Sequence, residues 1–162
     1  MRVDNLPLRV LGIDPGLTRL GFGVVEETGG KLRPLACGTL RTSTGQTTSA
    51  RLRSLYDQLT AVMREWRPDV VAAERLFFSA NASSAVPAIQ ASGVGLLIAA
   101  QSGTEVHEYT PLQVKMAVVG NGVATKQQVQ FMVDRLLGGP QMPDSADAAD
   151  ALAVAITHLS SR

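Results

Sequence analysis

The stretch RVLGIDPGLTRLGFGVV, Arg9 to Val25, decides the fold. Val10, Leu11 and Ile13 form an apolar run that ends on a carboxylate, Asp14. Pro15-Gly16 then turns the chain, and a second run follows from Gly21 to Glu26. This pattern predicts a strand over 10–14 and a hairpin partner over 21–26. The Gly29-Gly30 turn leads to a third strand over 31–40. An acid at the end of a strand this apolar calls for a chemical reason.

Working outward, Leu52, Leu55, Leu59, Val62 and Trp66 recur at helical spacing until Pro68 ends the helix. DVVAAE, Asp69 to Glu74, reads as a central parallel strand, and it too finishes on a carboxylate. An Ala/Gly-rich helix over 85–100, expected to be buried, precedes a strand over 105–109 and a short helix over about 112–118. Thr125 and Gln128 form a capping-box pattern for a helix to about Leu137, and Asp144 or Ser145 caps a last helix to about Leu159. Three antiparallel strands followed by alternating helices and strands describe an α/β fold, a mixed five-stranded sheet flanked by helices. Ligands in such sheets gather at the carboxyl ends of parallel strands, where Asp14 and Glu74 are expected.

The 162 residues suit one domain over 9–162 with a short extension over 1–8. The start, MRVDNLPLRV, lacks the apolar run of a secretory signal, and the most apolar segment, 85–100, falls short of a bilayer span. A single cysteine, Cys37, excludes a disulfide framework and fits a cytoplasmic protein with that thiol packed in the core. A formal net charge of +1 leaves the partner open. There is no Gly-x-Ser-x-Gly elbow, third dinucleotide-loop glycine or Walker lysine, and His107 and His158 lack metal-ligand spacing, which makes them structural or exposed.

The last helix supplies DSADAADALAVAITHL, with Asp147 and Asp150 three apart on one face of an apolar segment. Like charges in that setting require a cation. The helix has no Lys or Arg before Arg162, and the segments around Asp14 and Glu74 offer only Arg19 and Arg75. Carboxylates without His or Cys suit magnesium or manganese. Each acid also has a plainer role: Asp14 in a turn, Asp147 at the helix dipole, Glu74 paired with Arg75 or Arg19. One metal site explains all four together.

The blocks GIDPGLTRLGFGVV, VVAAERLFF, TPLQVKMAVVGNGVATKQQVQFMV and DSADAADALAVAITH resemble, in order and spacing, those of the RuvC family of Holliday-junction resolvases. The resemblance implies a ribonuclease H-like fold and a homodimer that nicks two opposing strands of like polarity in a four-way DNA junction. Such nicks leave 5′-phosphate and 3′-hydroxyl ends and serve recombination and repair. It matches Asp14, Glu74, Asp147 and Asp150 to the family's acids, which would hold two divalent cations per site. It also implies cooperation with the RuvA–RuvB branch-migration complex. With the acids neutralised, the 15 Lys and Arg outnumber the remaining acidic residues and favour DNA. Lys115 and Lys126 are the expected phosphate contacts, with Arg75 beside Glu74 as a further one. Of the adjacent aromatics Phe77 and Phe78, the resemblance favours Phe77 as a wedge stacking on unpaired bases, with a core or dimer contact as the other reading. A sugar-kinase-like phosphotransferase shares the Asp-x-Gly-x-Thr opening but needs a second domain, and a non-catalytic DNA-binding protein would not need all four acids.

Overall fold

A computed structural model of the chain describes residues 6–77, 82–139 and 145–162. Three antiparallel strands come first: β1 (Leu8–Asp14), β2 (Arg19–Thr28) and β3 (Lys31–Arg41). Helix α1 (Thr48–Trp66) leads to β4 (Val70–Glu74), and α2 (Ala82–Gln101) leads to β5 (Glu105–Tyr109). Helices α3 (Pro111–Val119), α4 (Lys126–Leu136) and α5 (Ala146–Ser160) complete the order. The sheet runs β3-β2-β1-β4-β5, with β1 parallel to β4; the mixed five-stranded sheet and the central parallel place of β4 are as expected from the sequence. Pro34 is tolerated because β3 is an edge strand, and the register shifts beside it at Val24/Val25.

Period-two alternation divides the core between the two faces of the sheet. Leu11, Ile13, Leu20, Val24 and Val71 pack against α1 and α2. Val10, Val25, Val70 and Ala72 pack against α3, α4 and α5. The helix ends follow local chemistry. Thr110 and Thr125 each accept from the backbone N–H three residues on, and Gln113 and Gln128 reach back to the cap N–H, closing two capping boxes. Ser145 caps α5. Asp144, the other expected cap, lies outside the described residues.

Glycines set the depth at which α5 sits on the sheet. A methyl group on Gly12 would collide with the Ala151 carbonyl, and one on Gly21 with the Asp147 carbonyl. On Gly23 it would strike the Leu152 side chain. The trough across β1 and β2 therefore admits the α5 backbone, and α5 is buried from Ala148 to Leu159 except at Asp150.

Two expectations are corrected. Cys37 is exposed rather than in the core, because β3 is the sheet's edge. Helix α2 is buried on one side only: Ala91, Ile98 and Ala99 face α1 and the sheet, whereas Val86, Leu96 and Leu97 are exposed. Its apolar composition concealed a two-faced helix. Among the described residues no helix is long and apolar enough to cross a membrane.

Candidate functional site

In β1, Val10 and Gly12 face α5, so Asp14, two residues on, shares that face; Val70, Ala72 and Glu74 repeat the pattern in β4. Gly12 pairs with Ala72 and Ile13 with Ala73. The two strands therefore deliver Asp14 and Glu74 side by side, one strand spacing apart. Across the antiparallel ladder Asp14 faces Gly21, the residue on which the Asp147 backbone rests. The first turn of α5 is thus laid beside Asp14, and the three-residue spacing brings Asp150 in behind Asp147. The Ser145 hydroxyl pins this end of α5, accepting from the Ala148 N–H at 3.2 Å and meeting the Thr39 hydroxyl of β3 at 2.7 Å.

Electrostatics confirm that the acids act on one another. Burial pushes the Asp14 carboxyl up to about 7, with Glu74, Asp150 and Asp147 adding to the rise in that order. Glu74 is also raised, first by burial and then by Asp150, and it shares a hydrogen bond with the Asp14 side chain. Burial and the repulsion among the acids account for both shifts, and the hydrogen bond to Asp14 works against the rise at Glu74.

Two of the acids have protein cations that spacing within one helix could not reveal. Arg19 Nη2 lies 2.8 Å from Asp147 Oδ2, and Lys126 Nζ lies 2.8 Å from Asp150 Oδ2. Arg19, one of two arginines expected as a candidate partner of Glu74, pairs with Asp147. Lys126 is held above the usual lysine range chiefly by its hydrogen bond to Asp150. In this arrangement no three acidic, His or Cys side chains among the described residues converge as a ready metal cage. The donor set nonetheless fits a hard divalent cation. It is all oxygen, it carries mutual repulsion, and Asp147 Oδ2 is buried without a directed hydrogen bond.

Glu74 and Asp150 open into a cleft of about 280 Å³ between α3, α4 and α5, lined also by Lys115 and Lys126. Both lysines singled out in the sequence thus stand in one cleft with two of the acids. Arg75 and Phe77 follow Glu74 on an exposed segment; the Arg75 N–H donates to the Tyr109 carbonyl at 2.7 Å, and Phe77 is 62% exposed. Phe78 lies outside the described residues. His158 is buried, meets the Tyr109 hydroxyl at 2.8 Å and stacks obliquely on His107.

Comparison with known proteins decides the family. Residues 10–158 match the family model described as Crossover junction endodeoxyribonuclease RuvC. The chain belongs to the RuvC family. The crossover junction endodeoxyribonuclease RuvC of Syntrophomonas wolfei is 46% identical over 95% of this chain and 90% of its own length. That of Roseiflexus sp. is 49% identical over 93% and 89%. Thermus thermophilus RuvC in complex with its Holliday junction substrate superimposes with a TM-score of 0.90 at 37% identity, covering 95% of this chain and 94% of that one. The yeast mitochondrial Holliday junction resolvase Ydc2, 15% identical with a TM-score of 0.68, shares the fold. The ribonuclease H-like sheet and the crossover junction endodeoxyribonuclease activity expected of the RuvC family are therefore borne out.

Proposed function

We propose that Asp14, Glu74, Asp147 and Asp150 form the catalytic centre of a Holliday-junction resolvase and that the cleft beside them receives the DNA backbone. The convergence of the four acids at the carboxyl ends of β1 and β4, with Asp14 raised to about 7, carries this reading. The cofactor is magnesium or manganese, two ions per site, held by these four side chains. Bound there, the cations supply Lewis acidity toward the scissile phosphate. The protein's own contribution is placement: β1 and β4 fix two acids rigidly, and α5 seats the other two by its close approach to Gly12 and Gly21. Lys115 and Lys126 hold flanking phosphates from the cleft wall, and Arg75 contacts the backbone on the other side of Glu74. Glu74→Gln and Asp150→Asn, tested singly, are expected to bind a four-way junction in calcium yet fail to cut it in magnesium. Full cleavage by either variant contradicts the assignment.

The exposed ring of Phe77 suits stacking on bases unpaired at the junction centre. Phe77→Ala is expected to slow cleavage of intact junctions several-fold more than cleavage of junctions with pre-opened centres. Equal losses on both substrates rule out a wedge.

The junction's approximate two-fold symmetry calls for two sites, and the outer face of α2 supports a homodimer. Val86, Gly93, Leu97 and Ala100 recur there at helical spacing and are exposed, Leu97 by 52%. Its small residues let a second helix approach closely. Leu97→Arg is expected to shift the protein from dimer to monomer in light scattering and to abolish paired nicking; an unchanged dimer contradicts this interface. Such a dimer would act on DNA in the cytoplasm, partnered, on the strength of family membership, by the RuvA–RuvB branch-migration complex.

A further inference from the structure

Arg19 opens β2 directly after a loop fastened at three points. The Thr42 N–H donates to the Thr18 carbonyl at 3.2 Å, the Thr42 hydroxyl to the Leu17 carbonyl at 2.6 Å, and Arg51 Nη2 to the Thr18 hydroxyl at 2.7 Å. The root of Arg19 is therefore fixed, while its side chain, about half exposed, reaches across to the first turn of α5. There Nη2 stands 2.8 Å from Asp147 Oδ2, yet that buried oxygen accepts no directed hydrogen bond. The pair has the charge of a salt bridge without the aligned N–H···O geometry that makes Arg–carboxylate pairs strong. A carboxylate oxygen held in this way is open to a better-placed cation.

We propose that Arg19 is the resident counter-ion of Asp147, a positioning residue that a divalent cation displaces on entering the site. It thereby sets the cation concentration at which the four acids become competent. The inference rests on reading those acids as the metal site. Without the metal, Arg19 and Lys126 offset two of the four carboxylates. This charge balance lets the acids stand together before any cation arrives. Lys126 stands at the same 2.8 Å from Asp150 Oδ2, but among the described residues Asp147 Oδ2 is the carboxylate oxygen that is buried without a directed hydrogen bond, so Arg19 is the counter-ion open to replacement. Its exposed side chain has solvent to move into while its backbone stays paired with β3.

The test is manganese binding to the full-length, DNA-free chain by titration calorimetry. Arg19→Gln is expected to bind manganese ~3-fold or more tightly than the parent chain, the scale of one half-exposed ion pair. Arg41→Gln is the control. Arg41 is the register partner of Arg19 on β3, so its loss removes the same charge from the same end of the sheet. It is expected to leave the affinity at the parent value. An unchanged or weaker affinity in Arg19→Gln overturns the proposal, and so does an equal gain in Arg41→Gln, which would reflect the overall field. Absence of saturable manganese binding by the parent chain is a different failure: it overturns the metal site itself, and the displacement with it.

Discussion

Asp14→Asn is expected to cut four-way junctions ~10³-fold or more slowly than the parent chain while binding them normally. In the absence of metal it should also be the more stable protein. Both effects come from one cause. The Asp14 carboxyl sits among Glu74, Asp150 and Asp147 in a partly desolvated position that pushes it up to about 7, against an ordinary value of 3.8. Between those values the folded state holds a proton that the unfolded chain releases, which favours folding at the acid end of the interval. As pH rises through about 7 that contribution is lost, so the metal-free protein loses stability from about pH 4 to above pH 7. The loss from this group is at most about 4 kcal/mol. Asn does not ionise, so Asp14→Asn flattens the slope and raises the metal-free Tm at pH 8 by about 5 °C or more. Thermal scans across pH in chelator, paired with junction cleavage and binding assays, check both halves. A variant with unchanged cleavage, or one less stable than the parent at pH 8 without metal, contradicts the role given to Asp14.

Gly12→Ala is expected to be the most damaging single methyl group in the fold. A side chain there meets the Ala151 carbonyl and the Ala155 amide nitrogen, so backbone must move rather than a flexible side-chain end. Overpacking of this kind costs about 3 kcal/mol or more, which for a chain of this length lowers Tm by about 6–12 °C. The catalytic effect should exceed the stability effect. Lifting α5 away from β1 separates Asp147 and Asp150 from Asp14 and Glu74, so cleavage should be lost even at temperatures where the variant remains folded. Gly30→Ala makes a useful contrast, because a methyl there meets nothing within 4 Å and the strain comes only from a φ of +79° in a surface turn. It should lower stability modestly and leave cleavage intact. Near-parental cleavage by folded Gly12→Ala would show that the depth of α5 does not set the site.

Much of this site was legible in the chain because it follows from short-range rules. Asp14 and Glu74 each end an apolar strand at the same alternation parity, so parallel pairing alone brings them together. The three-residue spacing of Asp147 and Asp150 is equally local. The glycines of GIDPGLTRLGFG were visible as a hairpin, but their contact with α5 depends on how a helix more than a hundred residues later packs on them. Arg19 and Lys126 were legible as charges and not as partners of Asp147 and Asp150, since long side chains choose partners through tertiary placement. Cys37 and the outer face of α2 misled for a related reason: composition reports apolar character, whereas the strand order and packing decide which edge and which face meet solvent.

Cleavage of crossover junctions by means of the four acids is the chemistry proposed for this chain. Its most direct test is cleavage of a synthetic four-way junction, labelled on each strand in turn, beside a duplex of matched sequence, in magnesium or manganese and again with chelator. The expected result is paired nicks in strands of like polarity, confined to the junction and abolished by chelator. Nicks that appear equally in the duplex, or that persist when the divalent cation is removed, would contradict it.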